Sequence, residues 1–156
     1  MHITSLLHNL NLINGRHHLA TLSIKDSNKD ILFKKLDELN IPTLNIGLSL
    51  ATFIDQTTNL DYIEYDAAEF LNKLINKNRK LLPYNTLPVL LVYNLGILFE
   101  PSLKMNPSSL LLKWSKDTTI VILWENPHVS ASHLTWKNNN NIGFLFKPEQ
   151  NTLISL

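Results

Sequence analysis

The sequence predicts an α/β protein, a three-layer sandwich in which helices cover both faces of a mostly parallel sheet. Two apolar runs, Val89 to Val92 and Thr118 to Trp124, have the continuous hydrophobicity of strands that are covered on both faces. Segments with apolar residues at helical spacing alternate with these runs and with two shorter strand-like segments. Because strands that alternate with helices are joined by right-handed crossovers, the alternation indicates a parallel sheet between helical layers.

An opening helix and two strand-to-helix units are predicted in the first third of the chain. The predicted segments are a helix over Ser5 to Ile13, a strand over His18 to Ile24, a helix over Lys29 to Leu39, a strand over Thr43 to Ile46 and a short helix over Leu48 to Ile54. Gly15 is predicted to end the first helix, since glycine accepts the backbone conformations that stop helices. Gly47 is predicted to break the chain between the second strand and its helix.

The remaining chain continues the alternation and then changes character. The predicted segments are a helix over Asp66 to Asn78, a strand over Val89 to Val92, a helix over Ser108 to Trp114, a strand over Thr118 to Trp124 and short C-terminal strands over Ser132 to Trp136, Ile142 to Phe146 and Thr152 to Leu156. Asp66 is predicted to cap its helix through its carboxylate. Asn138 to Asn141 is predicted to be a hairpin loop.

Length and composition predict one domain, residues 1–156, in the cytoplasm. The chain has 156 residues, with 14 Lys and Arg against 13 Asp and Glu and a formal net charge of +1. This balance gives no global attraction to nucleic acid or to an anionic membrane. The absence of cysteine excludes disulfides and thiolate chemistry. No signal-peptide pattern or transmembrane segment is recognisable, so we expect no membrane contact.

A candidate phosphate-binding loop follows the first predicted strand, at Ser23 to Asp30. A working loop has the pattern G-x-x-x-x-G-K-[ST], because glycines let the backbone amides surround the phosphates and the hydroxyl binds magnesium. Here Ser23 and Asn28 take the glycine positions and Asp30 takes the hydroxyl position. Lys29 alone fits the pattern. An ordinary helix-entry loop is the alternative interpretation of the same residues.

A phosphate-binding ATPase also needs an acidic residue at the end of a central strand, where it positions magnesium. The strand Val89 to Val92 ends instead in Tyr93 and Asn94. A neutral phenol does not bind magnesium, and an amide is a weaker ligand than a carboxylate. We therefore expect no catalytic residues, no metal site and no cofactor. Vestigial nucleotide contacts at Lys29, Asp30 and Asn94, with ATP and magnesium bound, are the less favoured alternative.

A basic patch is predicted on the helix Asp66 to Asn78 and just beyond it. Its members are Lys73, Lys77, Arg79 and Lys80. Most such patches are simply solvated, and a surface that contacts nucleic-acid phosphates is the functional alternative.

The segment from Val89 to Trp124 carries a recognisable pattern of framework residues. They are Asn94, Leu98, Phe99, Pro101, Ser102, Leu103, Pro107, Ser115 and Trp124. In these residues the segment resembles the BrxF family, small P-loop proteins of the bacterial BREX anti-phage systems. Upstream, Asn40 to Ile46 resembles the second strand of that family, and Lys29 takes the place of its phosphate-loop lysine. The resemblance implies a P-loop NTPase-like fold of the AAA or STAND type.

The departures from that family fall on its chemical positions. Tyr93 replaces the metal-site aspartate, Gly96 replaces a glutamate, and Lys116 and Asp117 replace the Arg-Asn pair of a later turn. The resemblance therefore implies a degenerate P-loop domain, a non-hydrolysing structural or regulatory subunit of an anti-phage complex. Its partners would be other protein subunits, with self-association as a further option and nucleic acid contacted only indirectly. The alternatives are an ATPase subunit completed in trans by a partner and a nucleic-acid-binding accessory protein.

Overall fold

A five-stranded parallel sheet lies at the centre of the computed structural model, which describes residues 3–13, 15–124, 130–136 and 139–155. Its strands are β1 (Leu19–Ser23), β2 (Thr43–Asn45), β3 (Val89–Tyr93), β4 (Thr119–Trp124) and, after a hairpin of β5 (His133–Trp136) and β6 (Asn139–Leu145), β7 (Thr152–Ser155). The strand order is β2-β3-β4-β1-β7, and every neighbouring pair in this sheet is parallel. The α/β class and the mostly parallel sheet are confirmed.

Helices cover both faces of this sheet. They are α1 (Ile3–Asn11), α2 (Lys29–Glu38), α3 (Ile46–Gln56), α4 (Ile63–Asn78) and α5 (Pro107–Trp114). The buried residues of α1 and α2 form one apolar cluster with one face of the sheet. Those of α3, α4, α5 and the β5–β6 hairpin form a second cluster with the opposite face. The three layers predicted from the sequence are therefore present.

The burial of the central strands explains their continuous apolar sequences. In β3, Val89 and Leu91 belong to the cluster under α1 and α2, whereas Leu90 and Val92 belong to the opposite cluster. All four side chains are fully buried. A strand buried on both faces needs an uninterrupted apolar run, as observed here.

The connections place one pair of neighbouring strands at a point where the chain changes face. From β1 the chain runs through α2 to the edge strand β2, and it returns through α3, α4 and α5 on the opposite face. Crossovers of one hand require this change of face when the direction of travel reverses. β1 and β4 are paired, and their onward connections lead to opposite faces. In open α/β sheets, ligands bind outside the carboxyl ends of the strands at such a point.

Two predicted helix starts are wrong. Gly47 does not break the chain but lies in the first turn of α3, which begins at Ile46. The position is buried and requires glycine, because a Cβ atom would come within 2.7 Å of the carbonyl oxygen of Asn94. Asp66 does not cap α4, since the helix begins at Ile63 and Asp66 lies in its first turn. Its charge still suits that position, because carboxylates stabilise the amino end of a helix.

The C-terminal strands are present, but their arrangement differs from the prediction. Asn139 to Asn141 belong to β6 rather than to a loop, and β6 pairs antiparallel with β5; Asn138 lies outside the described residues. The last strand, β7, joins the main sheet beside β1. Asn151, just before β7, hydrogen-bonds to Thr21 of β1 and to the carbonyl of Ala131, which anchors this strand. Within the described ranges, no helix has the length and hydropathy required to cross a bilayer.

Candidate functional site

The candidate site lies at the carboxyl edge of the sheet, where β1, β2 and β3 end. Parallel strands bring their carboxyl ends to one edge, so the loop after β1 and the residues after β3 lie at the same edge, with β4 between the two strands. Two of the three residues selected from the sequence lie at this edge, since Lys29 begins α2 and Asn94 follows β3. Asp30 is exposed in the first turn of α2, where its carboxylate is favoured by the helix dipole.

The loop between β1 and α2 is wound into a short helical turn. Asp26–Asn28 form a 3-10 turn that leads directly into α2. The backbone N–H of Asn28 donates to the carbonyl oxygen of Lys25 at 2.9 Å. Among the described residues, the positive φ angles occur at Gly15, Asn40, Asn94 and Lys104, all outside this loop. An anion-binding nest needs amides that converge through alternating right- and left-handed residues, and this loop does not have that conformation.

An aromatic ring stands next to the lysine that would contact phosphate. The Nζ atom of Lys29 lies 6.0 Å from the centroid of the Tyr93 ring. Phe33, one turn further along α2, meets the same ring edge to face with centroids 4.9 Å apart. A cation at this distance from an aromatic face gains roughly 0.5–1 kcal/mol at an exposed site. Tyr93 therefore packs against the first turns of α2, where a metal-binding carboxylate would have pointed in an ATPase.

Asn94 connects the end of β3 to the start of α3. Its backbone is left-handed, with φ 57°. Its side-chain amide donates to Oδ1 of Asn45 at 2.9 Å. The same Oδ1 atom accepts the backbone N–H of Leu48 at 2.9 Å, which makes Asn45 the N-cap of α3. In this geometry Asn94 braces a helix cap, and Gly47 leaves the space that its side chain needs.

The predicted basic patch is partly neutralised. Lys73 pairs with Glu69 at 2.8 Å, and this contact lowers the pKa of the Glu69 carboxyl below its usual value. Arg79 pairs with Asp117 at 3.2 Å and also donates to the hydroxyl of Thr118. Lys77 and Lys80 are exposed at the end of α4. The four cations therefore do not form one uniform positive surface.

Sequence reasoning missed two residues of this edge. Tyr93 was identified as a lost carboxylate, but its packing on Lys29 and Phe33 was not predicted. Asn45 was not selected, although an asparagine between a strand and a helix is a typical N-cap. Among the described residues, no group of three or more His, Asp or Glu side chains is arranged to hold a metal ion.

Comparison of the sequence with protein-family models gave no match, and comparison with curated proteins gave none either.

Proposed function

We propose that this protein is a non-hydrolysing, P-loop-like subunit with a structural or regulatory role in a bacterial anti-phage assembly. The strand order supports a P-loop-like fold, because β1 lies between β4 and the last strand of the sheet, as in ATPases of the AAA type. The position of Lys29 supports it too, since the lysine begins the helix that follows the central strand β1. The anti-phage role comes from the resemblance of the segment Val89 to Trp124 to the BrxF family.

The observation that carries the non-hydrolysing role is the packing of Tyr93 beneath Lys29. In a P-loop ATPase, the lysine neutralises phosphate charge while an acid at the end of a central strand positions magnesium. Here the residue at that strand end presents an aromatic ring to the lysine. A neutral ring adds no charge that could hold magnesium.

The neighbouring groups support the same proposal. In the loop before Lys29, the backbone N–H of Asn28 donates to the carbonyl oxygen of Lys25 and is therefore not directed at a ligand. Asn94 donates its side-chain amide to the cap of α3. Three groups at the carboxyl edge thus have structural contacts where a nucleotide site would need groups that face a ligand. The chain keeps the framework of such a domain and uses the edge to stabilise itself.

Calorimetric titration with ATP and magnesium tests the proposal. We expect no heat of binding at micromolar protein and ligand, for the native protein and for Lys29→Ala alike. A Tyr93→Asp variant restores the missing acid. We expect it to bind no ATP in the same titration, because the loop before Lys29 still lacks converging amides. Micromolar binding that disappears in Lys29→Ala, with hydrolysis by the native protein, would refute the proposal.

A phage-challenge assay tests the biological role. Deletion of the gene should lower the host's resistance, and a gene carrying Lys29→Ala should restore it in full. Affinity purification of the native protein should recover other protein subunits of the assembly. Resistance that requires Lys29 would instead favour an ATPase completed in trans. The nucleic-acid alternative is less favoured, because Lys73 and Arg79 already pair with carboxylates.

A further inference from the structure

Charge is strongly segregated along the middle of the chain. Residues 36–72 contain acidic residues and no lysine or arginine, whereas residues 73–99 contain basic residues and no aspartate or glutamate. The acidic residues are Asp37, Glu38, Asp55, Asp61, Glu64, Asp66 and Glu69, and the basic ones are Lys73, Lys77, Arg79 and Lys80. The change of sign falls within α4, so the two ends of this helix carry opposite charge.

The acidic end of α4 borders an apolar groove. The groove has a volume of about 470 Å³ and lies between the end of α3, the start of α4 and the segment after β3. Its apolar lining is formed by Ile54, Leu60, Ile63, Ile97 and Leu103. Glu100 lines it as well, and the exposed Asp61 follows Leu60. Lys104, which follows the lining residue Leu103, pairs with Glu64 at 3.8 Å.

Apolar and aromatic side chains are exposed at the start of α4, in the stretch that contributes Leu60 and Ile63 to the groove. Leu60, Tyr62 and Tyr65 are 55%, 65% and 68% exposed. We call the surface formed by residues 60–66 with Glu100 the acidic end. Leu60 lines the groove, Tyr62 precedes its lining residue Ile63, and Tyr65 lines a second cavity together with Glu64. Single exposed apolar residues are ordinary, but three within six residues, with an apolar groove and carboxylates beside them, are typical of a docking surface.

The opposite end of α4 is the chemical complement of this surface. Lys77 and Lys80 are exposed, and the segment that follows exposes Leu81 and Tyr84, the latter by 86%. Leu82, between them, is buried in the core under α1 and α2, which anchors the segment. The backbone of Lys80 pairs with that of Val89, the first residue of β3, so this segment lies at the amino edge of the sheet. We call residues 77–84 the basic end.

The helix dipole explains only part of this arrangement. Carboxylates in the first turn and cations in the last turn stabilise a helix, and α4 has both. The dipole does not require exposed leucine and tyrosine residues at both ends, or a groove at one of them. Exposed apolar groups lie beside carboxylates at the acidic end and beside lysines at the basic end. The two ends of α4 therefore form complementary surfaces.

We propose that the acidic end of one copy of this protein binds the basic end of a second copy, head to tail. A second copy is the favoured occupant because the chain itself carries both complementary surfaces. The two ends are separated by the length of α4, 16 residues or roughly 24 Å, so the contact joins different surfaces of the two copies. Such a contact closes into a ring or extends into a filament. The inference does not depend on whether nucleotide binds.

Sedimentation velocity on the pure protein tests this contact. We expect association that increases with concentration and weakens at least about 10-fold between 0.1 M and 1 M salt, since the Debye length falls from roughly 10 Å to roughly 3 Å. One variant, Asp61→Lys with Asp66→Lys and Glu100→Lys, reverses the acidic end and leaves Glu64 as its one acid. A second variant, Lys77→Glu with Lys80→Glu, reverses the basic end and leaves Arg79 as its one cation. Each variant alone should be monomeric, because its two ends then carry the same sign of charge.

An equimolar mixture of the two variants should associate again, since every end then finds an opposite partner. The matched control for the acidic-end variant is Asp30→Lys with Glu38→Lys and Glu149→Lys, which makes the same change in net charge at exposed sites elsewhere. It should associate like the native protein. Tyr84→Ala, at a fully solvated ring, should weaken association without affecting the fold, as circular dichroism would verify. Monomeric native protein at 0.1 M salt, persistent association of either variant alone, or a mixture that stays monomeric would overturn the proposal.

Discussion

The junctions after β1 and β2 lie at the same edge of the sheet, yet they are built differently. At the second junction, β2 leads directly into α3, and Asn45 caps the helix while it accepts a bond from Asn94. At the first, a 3-10 turn separates β1 from α2, and the N-cap residue Asn28 makes no side-chain capping bond. Close side-chain contacts thus fix one junction, and a local backbone turn fixes the other.

The proposed function interprets this difference as the conversion of a ligand-binding edge into a structural one. In that proposal, the first junction has the position and the lysine of a phosphate loop, while its residues form a 3-10 turn without convergent amides. The second junction and the end of β3 hold each other through the pair Asn45 and Asn94. Mutations that affect one junction and spare the other test this comparison.

The largest loss of stability is expected for a substitution at Gly47, in the second junction. Gly47→Ala places a methyl group within 2.7 Å of the carbonyl oxygen of Asn94, so β3 and α3 must move apart. Forcing an extra carbon into a packed site costs about 1–3 kcal/mol, and we expect the upper part of this range. Urea unfolding measures the loss. Thr52→Ala, on an exposed position of the same helix, is the control and should change the free energy of unfolding by less than about 0.5 kcal/mol. Equal stability of Gly47→Ala and the native protein would contradict the close approach.

The next effect compares the two N-caps directly. Asn45→Ala removes the acceptor for the N–H of Leu48 and the partner of Asn94, so we expect a loss of about 1–2 kcal/mol. Asn28→Ala removes no capping bond, and its cost should be only a few tenths of a kcal/mol. Thermal and urea unfolding of the two variants side by side provide the measurement. If both substitutions cost the same, the junctions are not built differently in energetic terms.

The sequence predicted the layers well because their signal is periodic and local. β3 and β4 are continuous apolar runs, and α2 begins at the predicted residue, Lys29. The error at Gly47 arises because a distant residue decides the local conformation. Gly47 looks like a helix break until the carbonyl of Asn94, 47 positions further on, is seen to require its missing side chain.

The candidate site was predictable to the same degree. Lys29 and Asn94 could be assigned to one edge, because parallel strands share their carboxyl edge. The bond from Asn94 to Asn45 joins residues 49 positions apart, and no short-range pattern specifies it. The same holds for Tyr93, since its packing on Phe33 depends on how α2 lies across the sheet.

A smaller loss of stability is expected for a substitution at Tyr93, whose ring packs beside the first junction. Tyr93→Leu keeps an apolar side chain but removes the edge-to-face contact with Phe33 and the ring beside Lys29, and we expect a loss of about 1 kcal/mol in the free energy of unfolding. Tyr93→Phe retains the ring and should be close to the native protein in stability. Urea unfolding distinguishes the two variants. A large loss in Tyr93→Phe would show that the hydroxyl, rather than the ring, holds this junction together.

The smallest effect is a pH dependence outside both junctions, which sets the background against which they are compared. The hydrogen bond and charge of Lys73 lower the pKa of Glu69 from its ordinary value of 4.5. Because the folded-state pKa is lower than the unfolded one, the pair's contribution is fully present above pH 4.5 and is lost as pH falls through the folded pKa. Both side chains are largely exposed, so the contribution is small and screened by salt. Glu69→Gln should flatten the acid side of the stability curve slightly, whereas Asn45→Ala should lower the whole curve without changing its slope. A slope that changes equally in both variants would show that the capped junction also titrates.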